Sequence, residues 1–220
     1  MLKLDREDLK KACATNTKIA NICRDKRFQR EYKKLHRETS YLIYAGCFCP
    51  PHKGHYDVIK KYVDSYDNIY IFIWDPEESR HGVPAKMNQK VWKTWAQKLG
   101  TNVHIILVDE NDNPLLFSQN WVVNHVAENS KITFMVGSDY TEKRIENLQN
   151  SFEDIAKMQN KYYPNASYKQ LTRSKYSATD FVKCLKNPVK SCENYIPEEM
   201  GKEWGKEYIN KLRTYKLKEK

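Results

Sequence analysis

Five apolar runs, each followed by a segment of helical spacing, constrain this 220-residue chain more than any other feature. They lie at 41–46, 68–74, 103–108, 131–136 and 166–171, and the second reads Asn-Ile-Tyr-Ile-Phe-Ile-Trp. Strands so continuously apolar have no face to give to solvent, so both sides of their sheet must be covered. Helical spacing at 53–66, 87–99, 115–128, 140–160 (with a break) and 177–186 supplies that cover. The expectation is an α/β fold: a Rossmann-like parallel sheet of about five strands with helices on both faces. Ligands of such sheets bind beyond the carboxyl ends of the strands, at the point where strand order reverses.

Where the first run ends, the chain reads Ala45-Gly46-Cys47-Phe48-Cys49-Pro50-Pro51-His52-Lys53-Gly54-His55. A strand here breaks into a turn that opens a helix. The first N–H groups of a helix have no partner within it, and the helix dipole favours negative charge there. Two histidines three residues apart at that position suit the handling of phosphate. Gly46 allows close approach of a ligand to the backbone, and Gly54 does the same in the first helical turn. A second turn of this kind, Gly137-Ser138-Asp139, follows the fourth run and falls on the same sheet edge.

The phrase Gly-x-Phe-x-Pro-Pro-His-x-Gly-His resembles the first motif of the HxGH nucleotidylyltransferase superfamily. That superfamily holds the nicotinamide-mononucleotide and phosphopantetheine adenylyltransferases and the phosphocholine-type cytidylyltransferases. The resemblance covers about 41–186. Cys47 stands where the family usually has a hydroxyl residue, and Cys49 where it usually has an acidic or amide one. The implied reaction moves a nucleoside monophosphate from a nucleoside triphosphate to a phosphorylated small molecule and releases pyrophosphate. The resemblance implies His52 and His55 as the catalytic pair, with Gly46, Phe48 and Gly54 shaping the nucleotide bed and Gly137 and Asp139 on the base or ribose side.

The segment Arg173-Ser-Lys175-Tyr-Ser177-Ala-Thr179-Asp-Phe-Val182-Lys183 opens the last helix of the domain. Ser177 is a good N-cap, and the surrounding cations suit a triphosphate tail. It resembles the family's second signature, Ile-Ser-x-Thr-x-x-Arg, with Ser177 and Thr179 in register and Val182 in place of the arginine. Nucleotide contacts are thus expected from Arg173, Ser177, Thr179 and Lys183, with weaker phosphate contacts from Lys86, Lys90 and Lys175. AMP transfer from ATP is favoured and CMP transfer from CTP stays open. Mg²⁺ is expected to travel with the nucleotide, as no side-chain metal motif is present. Trp92, Trp95 and Trp121 read as packing residues or as platforms for a base or nicotinamide ring. His104 and His125 read as structural. A lapsed nucleotide-binding or interaction protein on the same fold is the alternative, resting on Cys47, Cys49 and Val182.

The ends are different material. Residues 1–40 carry twelve Lys/Arg against six Asp/Glu, and 183–220 carry ten against six, whereas 41–182 are balanced. The whole net charge of +10 therefore sits outside the motif segment. Solvated helix faces account for it better than a nucleic-acid partner does. Residues 1–38 read as a helical head, faintly F-box-like, with Thr15 or Asn16 as a cap. Residues 39–186 form the transferase-like domain, and 187–220 a helical extension with a helix over 198–217 and Trp204, Tyr208 and Leu212 as its packing stripe. No run reaches the ~18 apolar residues of a membrane span. Six scattered cysteines give no disulfide framework, so a reducing, cytoplasmic location is expected. Self-association stays open.

Overall fold

The structure is a computed structural model in which residues 38–76, 79 and 81–218 are described. The chain divides into two compact units between Glu38 and Thr39. The expected helical head, with its F-box likeness, lies outside the described residues apart from Glu38. The second unit, Thr39–Lys220, holds the sheet and the motif segment.

The five apolar runs become five strands: β1 (Ser40–Gly46), β2 (Asn68–Trp74), β3 (Val103–Val108), β4 (Lys131–Val136) and β5 (Ala166–Gln170). They pair in the order β3-β2-β1-β4-β5, all parallel. The chain thus builds outward from β1 to β3, then returns to lay β4 on the other side of β1. That reversal puts the switch point between the carboxyl ends of β1 and β4.

Successive strand residues face opposite sides, and the two cores follow that alternation. Leu42, Tyr44, Ile69, Ile71, Ile73 and Met135 face one core, closed by α1 (Lys53–Tyr62), α2 (Ala85–Leu99), α5 (Ala178–Lys186) and α6 (Lys202–Arg213). Ile43, Phe72, Val108, Ile132 and Phe134 face the other, under α3 (Pro114–His125) and α4 (Glu142–Met158). The expected Rossmann-like sheet with helices on both faces is the observed architecture.

Several expectations are corrected at element ends. The first helix stops at Tyr62, not 66, in a turn where Asn102 Nδ2 donates to the carbonyls of Val63 and Tyr66. The break expected within 140–160 is absent, and α4 runs unbroken because Thr141 caps it and Phe152 and Ala156 hold its buried face. The helix expected over 198–217 is split: a 3₁₀ turn at Glu198–Met200 ends at Gly201, whose φ of 78° starts α6 afresh. Residues 187–218 pack into the first core through Ile196, Tyr208, Ile209 and Leu212.

The reading of the cysteines is also corrected. Cys184 and Cys192 are joined by a disulfide, S–S 2.08 Å. They meet because the chain reverses after α5, where Arg213 donates to the carbonyls of Leu185, Asn187 and Lys190 and pins the loop. Among the described residues no helix is long and apolar enough to cross a membrane.

Candidate active site

The histidine turn forms where the sequence places it. His52 is the N-cap of α1, in extended conformation, and its Nδ1 accepts from the Gly54 N–H at 3.1 Å. In return the His52 N–H donates to Nδ1 of His55 at 3.3 Å. Two histidines here occupy the roles that a Ser/Thr and a Glu/Gln take in a capping box. Their rings stack with centroids 3.8 Å apart. Because each Nδ1 accepts a backbone N–H, the proton of each neutral ring is on Nε2.

Burial sets their charge. It pushes the His52 pKa down to about 4, and it pushes His55 well below the ordinary imidazole value, with the His52 charge adding to the effect. Both rings are neutral at pH 7. They therefore present two oriented Nε2–H donors beside the start of a helix, not two cations.

His55 borders a cleft of about 300 Å³ at the switch point. Tyr44, Ala45, Gly46, Cys47, Phe48 and Cys49 form one wall, Gly137, Tyr140 and Leu171 the other, and His55, His81 and Ala178 close it. Phe48 has a left-handed φ of 48°, which turns its ring edge-on to His55 (centroids 5.2 Å) and Trp92 (5.4 Å). A Cβ on Gly46 would come within 3.3 Å of that ring, so glycine leaves room for it. Gly54 has a similar reason: a Cβ would lie 2.6 Å from Ser174 Oγ and 3.0 Å from the His52 ring. The loop before α5 therefore packs against the histidine turn.

Of the residues expected from sequence, Gly46, Phe48, His55 and Gly137 line the cleft. His52 stacks behind His55, and Asp139 folds back on Gly137, its Oδ1 filling the place a Cβ would take. Ser177 caps α5, accepting from the Asp180 N–H at 3.0 Å and donating to the Asp180 carboxylate at 2.7 Å. Ser177 and Thr179 flank the lining residue Ala178. Arg173, Lys175 and Lys183 are exposed near this helix start and along it. Lys86 and Lys90 are exposed on α2, and Lys90 borders a separate groove with Trp204 and Tyr208. Val182 is fully buried. Trp92 and Trp95 are also fully buried, while Trp121 stacks on His125 and His104 on Tyr70 on the sheet's flank.

Sequence reasoning missed Tyr44, Tyr140, His81 and Ser174. His81 is buried, and its Nδ1 lies 2.9 Å from the Lys218 carbonyl, 137 residues away, a contact that no local pattern encodes. Arg144 over the Tyr140 ring (4.0 Å) is a further cation at this edge.

Comparison with solved structures settles what kind of scaffold this is. A Plasmodium falciparum nicotinic acid mononucleotide adenylyltransferase, solved with NaAD, superposes with a TM-score of 0.52 over 82% of this chain and 99% of its own, at 14% identity. The fold is that of a mononucleotide adenylyltransferase. A bifunctional NMN adenylyltransferase/ADP-ribose pyrophosphatase from Francisella tularensis, solved with AMP and a manganese ion, also has a TM-score of 0.52, at 16% identity. That match covers 80% of this chain and 53% of the longer protein. No family model and no curated protein matches the sequence. The adenylyltransferase fold thus carries a histidine turn at the expected sheet edge.

Proposed function

We propose that this protein is a nucleotidylyltransferase that moves AMP from ATP to a phosphorylated small molecule. The observation that carries this reading is the stacked His52–His55 pair at a helix N-terminus, with both ring protons on Nε2 and His55 lining the switch-point cleft. The acceptor's phosphate oxygen attacks the α-phosphorus in line, and the bond to pyrophosphate breaks with its electron pair on the leaving group. The attacking oxygen is ionised near neutral pH, so no side-chain base is needed. Catalysis is then positioning and charge stabilisation.

His55, braced by His52, donates to the α-phosphate as its charge develops. The start of α5, with Ser177, Thr179 and the surrounding Arg173, Lys175 and Lys183, takes the pyrophosphate end. Gly46 and Phe48 form the nucleotide bed, with Gly137 and Asp139 at the ribose side. Among the described residues no cluster of three or more His, Cys, Asp or Glu is arranged to hold a metal. A divalent cation, Mg²⁺ in this reading, would come with the nucleotide and would supply charge neutralisation on the triphosphate when bound. Dependence on ATP fits a cytoplasmic enzyme.

Pyrophosphate release is the test, with ATP or CTP against nicotinamide mononucleotide, nicotinate mononucleotide, phosphopantetheine and phosphocholine. Release that needs one acceptor and vanishes in the His52→Ala/His55→Ala protein supports the reading. A second reading, a lapsed nucleotide-binding protein, is favoured by the burial of Val182 where a triphosphate-binding arginine is expected. Nucleotide binding without release under every pair would support it instead.

A further inference from the structure

The two edges of the sheet are built differently. β5 reads Ala-Ser-Tyr-Lys-Gln and carries Lys169, a residue type that blunts an edge against further pairing. β3 reads Val-His-Ile-Ile-Leu-Val, with no glycine, proline, lysine or carboxylate to do the same. Its central residues, His104 to Leu107, are partly exposed, and among the described residues β2 is its only strand partner. The pairing with β2 fixes which backbone groups are left over. The Ile69 N–H donates to the Asn102 carbonyl at 2.8 Å and the Asp75 N–H to the Val108 carbonyl at 2.9 Å, so the even-numbered residues of β3 face β2. The N–H and C=O groups of Ile105 and Leu107 point the other way, and among the described residues nothing bonds them. The Val103 N–H reaches only the Gly100 carbonyl, at 3.4 Å.

We propose that this edge is where two copies of the chain join, β3 against β3 in antiparallel pairing about a two-fold axis at Ile105. Ile105 then stands opposite its own copy, and Val103 of each copy opposite Leu107 of the other. In that register outward-facing residues meet outward-facing residues, and each such pair exchanges N–H···O bonds in both directions. A register shifted by one residue would set them against residues that already bond β2. The side chains follow the same register. Ile105, Leu107 and Val103, on the face of the first core, meet one another, and His104 meets Ile106 on the opposite face.

Charge selects the antiparallel sense and a second copy as the occupant. The exposed acidic turn Asp109, Glu110 and Asp112 leaves the carboxyl end of β3, at a recess of about 330 Å³ with Asp75, Asp109 and Glu110 in its lining. Lys98, exposed on the last turn of α2, stands just before the amino end of β3. Antiparallel pairing brings Lys98 of each copy to the acidic end of the other, whereas parallel pairing would set acid beside acid. A contact of this kind is isologous and closes on itself, so the pair keeps no free β3 edge.

The pairing does not depend on the proposed reaction, and it is tested without it. Light scattering after gel filtration of the full-length protein, loaded at about 1 to about 100 μM, is expected to show a species of twice the 26.1 kDa chain mass that grows with concentration. Lys98→Glu protein and Asp109→Lys/Glu110→Lys protein are each expected to dimerise about tenfold more weakly, because like charges then meet at both ends. These positions are exposed, so urea midpoints are expected to stay at the wild-type value. Mixing the two variants sets opposite charges together again at both ends of the mixed pair, and that heterodimer is expected to recover the wild-type affinity. Amide exchange at single residues gives the location. Protection of Ile105 and Leu107 is expected to rise with concentration, while Ile106, whose N–H faces β2, is protected throughout. A monomer at every concentration, assemblies larger than a dimer, mixed variants that bind no better than either alone, or a dimer in which Ile105 and Leu107 exchange as fast as in the monomer would each overturn the proposal.

Discussion

The backbone N–H of His52 donates to Nδ1 of His55 while Nδ1 of His52 accepts from Gly54, so one turn of helix fixes the tautomer of both rings. The same side chains that the proposed function assigns to phosphate also cap the helix. In that reading stability and turnover are joined at this pair, and substitutions can separate them.

His52→Ala removes the cap and the stacked ring together. The loss in stability is expected to be about 1 kcal/mol, the usual cost of deleting a cap, alongside a fall in turnover on the order of a hundredfold. His52→Asn keeps a good N-cap acceptor without the Nε2 donor. It should recover most of the stability in urea denaturation and little of the pyrophosphate release.

The pH dependence follows from neutral burial. Unfolded, each histidine takes up a proton near pH 6.5; folded, His52 resists until about pH 4, and burial holds His55 well below its ordinary value too. The unfolded state thus binds more protons below pH 6.5, so stability falls as pH drops from 6.5 towards 4. A shift of the His52 size is worth on the order of 3 kcal/mol. Urea midpoints from pH 7.5 to 4.5 should show the decline, and His52→Asn should flatten it. Equal slopes in both proteins would rule out His52 as a source.

Gly54→Ala tests the contact between the histidine turn and the loop before α5. Alanine is the better helix former by roughly 0.5–1 kcal/mol, yet its methyl would stand 2.6 Å from Ser174 Oγ. The loop has to give way. Expected is a near-neutral change in stability with a clear rise in KM for the nucleotide. Ser174→Gly, added to Gly54→Ala, should recover part of it; additivity of the two changes would show that they do not meet.

The strands were legible because a buried parallel sheet leaves a local record: near-continuous apolar runs with almost the observed limits. The histidine turn was legible for the same reason, since capping is a relation among residues three or four apart. Helix ends were less so. The stop at Tyr62 depends on Asn102 from a distant loop, and the break at Gly201 was hidden by an apolar stripe that continues past it. The Cys184–Cys192 disulfide depends on Arg213 pinning the intervening loop. His81 and Ser174 reach the site through contacts across the fold, which one sequence does not display. The exposure of Lys86 and Lys90 on α2 is likewise a matter of how that helix rolls on the sheet.

Val182 occupies the position at which the resemblance calls for an arginine, and it is fully buried. Restoring the arginine should not restore a phosphate site. An unpaired guanidinium in place of Val182 would cost about 3–5 kcal/mol, the scale of an uncompensated buried charge. Val182→Arg is expected to lower the urea midpoint sharply without improving nucleotide affinity. A gain in affinity at unchanged stability would mean that α5 can roll to bring this position to the cleft.

The last link ties the C-terminal segment to the turn. Tyr208 on α6 is buried, and its hydroxyl donates to the Pro51 carbonyl at 2.9 Å, immediately before the two histidines. Lys53 pairs with Glu198 at 2.7 Å on the same side, but that carboxylate is exposed and the pair adds little. Tyr208→Phe leaves the Pro51 carbonyl buried without this donor, at a cost of about 1–3 kcal/mol. It also frees the chain that aims His52. The expected result is a lowered urea midpoint together with a fall in kcat, while Glu198→Gln changes neither by much. Loss of stability in Tyr208→Phe with kcat untouched would show that α6 supports the core without positioning the histidine turn.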